Sequence, residues 1–298
     1  MIKMKILNIS RFVGGTICTG AMLLGGSDIF AQNIFVGDWV NIFEFSPGKS
    51  PTTFNQSTFS GGQDYARCLA FDSAGNLFEA DCYSGQIFEF MNTGGTLNSS
   101  AVRFAYGLNN PGAMAFDKKG NLFVASDIGN FIYEFTPGNS TPAIYVTGLN
   151  SPQGLAFDSG GNLYAANWVG GTITKITPQK AESTFASGLN QPCGLAFDAA
   201  GNLYVANTSP FDTITEITPD GVQSTYATGL NNPQQIAFDG RGDLFVAVNG
   251  VRNYTGNLTE IAPNKSETVT AIYGSTLSVV VQGQELQVRK RHHWYHLW

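Results

Sequence analysis

Histidine is scarce in this 298-residue chain: there are three, His292, His293 and His296, all inside the last ten residues. A serine or cysteine nucleophile paired with histidine is therefore excluded from everything before that tail, because such pairs need the imidazole as base. Charge is scarce too, at 13% Asp, Glu, Lys and Arg. The formal net charge of -6 hides a contrast, since residues 32–288 hold 10 Lys or Arg against 21 Asp or Glu, while both ends are basic. Such a body lacks the clustered cations that phosphate binding requires, so no nucleic acid is expected as partner. Cationic or neutral ligands fit it better. No stretch shows ten or more residues of helical amphipathic period, which excludes helical solenoids.

What the chain has is repetition. The core A-F-D-x-x-G-(N/D)-L-(F/Y) places its F-D pair at Phe71, Phe116, Phe157, Phe197 and Phe238, a period of 40 to 45 residues. That period suits a two-helix solenoid unit or a four-stranded propeller blade. The apolar runs are short, rich in Phe, Tyr, Ile, Val and Thr, and bounded by Gly, Pro, Asn and Asp, which selects the blade. In the unit Ser151 to Pro178, strands are expected at 154–157, 163–166 and 172–177, with a fourth at 183–187. The D-x-x-G-N link suits a tight hairpin in which Asp accepts backbone hydrogen bonds and Gly takes positive φ.

Second strands at Ile34, Leu77, Leu122, Leu163, Leu203 and Leu244 count six blades. The expected fold is all-β, a six-bladed β-propeller of four-stranded blades forming one domain over 32–288. The first unit lacks its innermost strand, and Leu277–Val281 is expected to supply it, closing the ring and removing its open edges. Residues 1–31 read as a secretory signal peptide: Lys3, Lys5 and Arg11 precede an apolar stretch, with cleavage after Ala31. A secreted or periplasmic monomer with no membrane span after signal removal is implied. Residues 289–298, R-K-R-H-H-W-Y-H-L-W, match no repeat and read as a disordered basic tail. Its H-H-x-x-H spacing suits either metal ligands or a frayed end.

The connections from fourth to first strand and from second to third strand share one face of a blade, so that face is the candidate site. Asp38, Asp81, Asp127, Asn167, Asn207 and Asn249 stand at or beside the second-strand ends. Convergent oxygens can hold a divalent cation such as calcium, with Asp38, Asp81, Asp127 and Asn167 as ligands, or they can simply cap the turns that follow. Trp39 and Trp168 fall at equivalent positions of the first and fourth units and can either stack on a glycan ring or cover a blade end. The second unit departs most from the pattern: Arg67 and Cys68 replace the x-G of P-x-G, Glu79 replaces Ala or Val, and Cys82 follows Asp81. Glu79 is either a salt-bridge partner of Arg67 or a general acid or base. Cys68 and Cys82 come near enough in this scheme for a disulfide to be open. Asp72, Asp117, Asp158, Asp198 and Asp239 read as turn builders on the opposite face. The Glu44, Glu89, Glu134, Glu216 and Glu260 series reads as a solvated ladder.

The unit P-x-G-L-A-F-D-x-x-G-N-L-Y-V-A resembles an NHL-type repeat and is similar to blades of the gluconolactonase/luciferin-regenerating superfamily, over residues 33 to about 283. The resemblance implies a six-bladed propeller and leaves activity open, because these superfamilies mix enzymes with binding scaffolds. Gluconolactonase-like enzymes hold a central divalent metal through Glu, Asn and Asp, notably in P-N-G and P-D-G motifs. Here the corresponding residues are Gln153, Cys193 and Gln234, with Gly112 and Arg67 elsewhere. Streptogramin lyases and the amidating lyase are similar in blade rhythm and use histidine, which this body lacks. The expected function is a non-catalytic scaffold binding a protein, glycan or envelope component through Trp39, Arg67, Asp81, Gln153, Asn167, Trp168, Asn207 and Gln234. The alternative is a metal-dependent lactonase or esterase with Glu79 as acid or base.

Overall fold

The computed structural model describes backbone and side chains for residues 68–208, 210–239, 241–248 and 258–267, and elsewhere the backbone of paired strands. All of its regular structure is strand. No helix among the described residues is long and apolar enough to cross a membrane. Five four-stranded antiparallel sheets run in chain order as blades, here numbered two to six. Blade four has Pro152–Phe157 innermost, then Leu163–Asn167, Thr172–Ile176 and Glu182–Ala186. Blade two, Ala66–Phe71 to Val102–Ala105, carries an extra hairpin of Asn92–Thr93 and Thr96–Leu97 between its third and fourth strands. The chain is a β-propeller.

Local chemistry explains each hairpin between first and second strands. In blade five, Asp198 Oδ1 accepts from the Asn202 amide at 2.8 Å and Oδ2 from Asn202 Nδ2 at 2.9 Å. Gly201 between them takes φ 88, where a side chain would be strained. Asp72, Asp117 and Asp158 repeat the same two bonds with Asn76, Asn121 and Asn162. In blade six the Asn becomes Asp243, and Arg241 reaches both Asp239 at 2.9 Å and Asp243 at 3.2 Å, neutralising the paired carboxylates. The five Asp are turn builders.

Neighbouring blades are joined by rings. Tyr204 on the second strand of blade five meets Tyr226 on its own fourth strand at 4.9 Å and Phe238 on the first strand of blade six at 4.8 Å, both edge to face. Phe78, Phe123 and Tyr164 each make the same two contacts, to Phe104 and Phe116, Tyr145 and Phe157, and Phe185 and Phe197. Each aromatic pair adds about 0.5–1.5 kcal/mol beyond its burial. Around this belt the wholly buried Leu122, Leu163, Leu203 and Leu244 fill the inter-blade cores.

The first unit departs from expectation. Ile34–Gly37, Asn41–Phe45 and Thr52–Gln56 pair as strands two to four, but Ala21–Leu23 takes the inner place beside Ile34–Gly37. Leu277–Val281 does not close this sheet. Instead Ser278–Gln282 pairs with Glu285–Arg289 and with Ile2–Lys3 in a separate three-stranded sheet. The segment pairs with its neighbour in the chain, Gln282 standing opposite Glu285, instead of with the distant strand Ile34–Gly37. The tail from residue 290 lies outside the described residues, as does the proposed cleavage site at Ala31.

Candidate functional site

The second-to-third and fourth-to-first connections do share a face, and hydrogen bonds lock them together. The Asp127 amide donates to Asn110 O at 3.3 Å, Trp168 to Ser151 O at 2.9 Å, and Thr208 to Gln191 O at 3.4 Å. From the other side, the amides of Leu108, Leu149, Leu189 and Leu230 donate to Gly85, Asn130, Gly171 and Asp212. The leucines are a pinning device, with Leu108, Leu149 and Leu230 buried beneath the loops. The residue before each inner-strand proline, Asn110, Ser151, Gln191 or Asn232, sits at φ between 45 and 67. This left-handed geometry turns the chain inward at the mouth.

The polar side chains at the strand ends are largely engaged in holding the loops. Asp81, 1% exposed, accepts the amides of Tyr83 at 2.9 Å and Ser84 at 3.1 Å, and the Ser84 hydroxyl donates to its other oxygen. Ser126 Oγ donates to Asn109 O and accepts from the Gly129 amide. Asn167 Oδ1 accepts the Asn150 amide at 3.2 Å while Nδ2 donates to Thr172 and Thr174 at 3.0 and 2.8 Å. Asn207 makes the matching bonds to Thr213 and Thr215, at 3.2 and 2.8 Å, and its buried Oδ1 finds no donor among the described residues.

Nearer the channel, Ser151 Oγ and Gln153 Nε2 both donate to Asp127, the latter at 3.3 Å, which ties blade four to blade three. Gln234 Nε2 donates to Asn232 Oδ1 at 2.9 Å, and the Asn232 amide to Asp212. Thr208 Oγ1 donates to Gln191 Oε1 at 3.1 Å. The structure thus brings Asp127 and Gln153 together and keeps Asp81, Asn167, Asn207 and Gln234 each at its own blade. No group of three or more His, Cys, Asp or Glu able to hold a metal stands among the described residues. The donor set present, a carboxylate with serine and glutamine, orients hydrogen bonds and offers a hard cation little charge.

Trp168 packs against the inter-blade core of Cys193, Tyr204 and Ala206, covering it. Asp38, Trp39 and the Arg67 side chain lie outside the described residues. Glu79 is 5% exposed, on the middle strand between Leu69 and Phe88, in the row that holds Val124, Ala165, Val205 and Val246 elsewhere. Cys68 stands opposite Ala80, and Cys68 and Cys82 remain separate thiols. The Glu ladder is less solvated than its spacing suggests: Glu89, Glu134 and Glu216 are half-buried opposite Phe78, Phe123 and Tyr204, and Glu260 is buried. Burial, with Asp72 adding repulsion, pushes the Glu89 carboxyl up. Burial, then the charges of Glu216 and Asp198, pushes the Tyr204 phenol up.

Large apolar side chains stand exposed at the mouth. Tyr83, Ile128, Val169 and Phe211 occupy the tips of four consecutive second-to-third connections and are 68, 69, 63 and 61% exposed. Sequence reasoning passed over them because the four differ in type and the Phe211 loop is one residue longer. Aligning the second residue after each strand end finds the first three.

Comparison with known proteins matches the shape. The chain matches no family model and no curated protein sequence. Among solved structures it is similar to a chain of a nidogen/laminin complex, at TM-score 0.68 and 18% identity over 81% of this chain and 93% of that one. A streptogramin B lyase gives TM-score 0.66 and 15% identity over 90% and 86%. A gluconolactonase from Xanthomonas campestris gives 0.60 and 14% over 80% and 96%. At these identities the likeness establishes the fold alone.

Proposed function

We propose that this chain is an exported, non-catalytic propeller that binds a protein, glycan or envelope component on its mouth face. The observation that carries this reading is the row of apolar loop tips, held out to solvent by loops whose polar groups are engaged beneath them. A pre-formed, exposed apolar surface is what a docking face needs, since little ordering is left to be done on binding. The similar chain in a nidogen/laminin complex is consistent with such a role. In the proposed mature protein, a monomer, the ring has six blades, blade one being the sheet of Ile34–Gly37, Asn41–Phe45 and Thr52–Gln56.

The test against a metal-dependent lactonase is direct. The full chain is melted with added calcium and with chelator, and lactone and ester turnover is followed with and without Asp81→Ala. A binding scaffold shows no saturable calcium shift and no turnover. A calcium-dependent shift together with turnover, both lost in Asp81→Ala, overturns the reading.

A further inference from the structure

The described connections of the mouth face lack one sign of charge, while those of the opposite face carry both. The eight described connections on the mouth face, 82–85, 106–110, 127–130, 148–151, 168–171, 187–191, 208–212 and 228–232, contain no Lys, Arg or His, and they contain Asp127 and Asp212. The described connections of the opposite face mix both signs, Lys118, Lys119, Lys180, Arg241 and Lys265 standing among Asp72, Asp117, Asp158, Asp198, Asp220, Asp239 and Asp243. The described cation nearest the mouth is Arg103, on the outermost strand of blade two, where its guanidinium lies 5.2 Å from the centre of the Tyr106 ring. Tyr106 itself, in the 106–110 connection, is 74% exposed.

An apolar rim with carboxylates and no cation in its described loops selects its occupant. Anionic lipid surfaces, acidic glycans and acidic peptides meet only repulsion there, while a segment that interleaves Lys or Arg with aliphatic or aromatic residues meets both halves of its complement. Tyr83, Ile128, Val169 and Phe211 supply the apolar contacts, and Asp127 and Asp212 the field that orients the cationic side chains. We propose that the mouth binds a cationic, apolar peptide segment of a partner protein; this rests on the scaffold reading above and adds the chemistry of the partner.

The experiment uses the full chain and three labelled twelve-residue peptides, alternating Lys with Leu, Glu with Leu, and Lys with Ser, followed by fluorescence anisotropy at two salt concentrations. The Lys/Leu peptide is expected to bind. The double variant Ile128→Ser with Val169→Ser weakens it about tenfold, as loss of central apolar contacts does. Asp127→Asn with Asp212→Asn keeps the shape and one accepting oxygen of each side chain and weakens binding about threefold to tenfold, with a flatter salt response. Unchanged melting temperatures show that the variants are folded.

If the Glu/Leu peptide binds as tightly and is lost in the tip variant, the scaffold reading stands and the cationic inference fails. If the Lys/Ser peptide binds as well as Lys/Leu, or the tip variant binds normally, the apolar rim is not the contact and the inference fails. If no peptide binds, the inference fails, and photo-crosslinking from position 128 decides the scaffold reading separately.

Discussion

Gly154 lies directly under the backbone of Cys193 in the next blade: a Cβ placed on Gly154 would stand 1.6 Å from the Cys193 carbonyl oxygen. Gly194 repeats the relation with Gln234 O at 2.2 Å. The glycine of P-x-G is therefore a requirement of how closely inner strands approach around the channel. Because the clash is with backbone, side-chain motion does not relieve it. Gly154→Ala is expected to lower stability by about 3 kcal/mol, the upper part of the overpacking range, or to prevent folding. Urea denaturation of the variant beside wild type measures this, and a loss within about 0.5 kcal/mol contradicts the packing described.

The Asp198–Asn202 hairpin makes a coupled prediction. Asp198→Ala and Asn202→Ala each remove hydrogen bonds worth about 1 kcal/mol apiece. Since the two side chains bond to each other, the double variant should cost less than the sum of the singles, with a coupling of at least about 0.5 kcal/mol in a double-mutant cycle. Strict additivity would mean the turn does not form as described.

Glu89 gives a pH signature. Burial, and then Asp72, raises its folded pKa above the ordinary 4.5. The folded state thus binds more protons than the unfolded chain, so the Glu89 contribution is fully present below 4.5 and is lost as pH rises through the raised value. Glu89→Gln removes the charge and keeps the shape. The variant should melt higher than wild type at neutral pH, and the two melting curves should converge below about pH 4. A variant that is less stable at pH 7 refutes the sign.

Tyr204 behaves alike at the alkaline end. Burial, Glu216 and Asp198 hold its phenol protonated in the fold, so raising pH through the ordinary value of 10.0 favours the unfolded chain. Tyr204→Phe keeps both ring contacts, to Tyr226 and Phe238, and should resist alkaline unfolding better than wild type; Tyr204→Leu should lose stability at every pH. Circular dichroism against pH separates the two.

Blade rhythm was legible because its cause is local. A-F-D-x-x-G-N-L-Y encodes a hairpin within nine residues, and the observed Pro152–Phe157 and Leu163–Asn167 extend the expected strands by only one or two residues. The aromatic belt was not legible, although its members Phe157, Tyr164 and Phe197 sit inside the motif. Their edge-to-face contacts join residues of different blades, and only the register of the folded ring brings Tyr164 to Phe197. The inner strand of the first sheet was misassigned for a related reason. Ala21–Leu23 and Leu277–Val281 are both short apolar runs, and composition does not tell which of them pairs with Ile34–Gly37. Of the candidate face, the meeting of its two sets of connections was legible and its surface was not: Asp81 and Asn167 anchor loops, while Tyr83 and Ile128 at their tips meet solvent.

The central claim, a binding face formed by the loop tips, is tested most directly by photo-crosslinking in the native host from two positions of the full chain. A photoreactive residue replaces Ile128 on the mouth or Lys118 on the opposite face. The account predicts a discrete adduct from position 128 that is absent from position 118 and is lost when Tyr83→Ser and Val169→Ser are added. Equal adducts from both positions, or an adduct from position 118 alone, would contradict it.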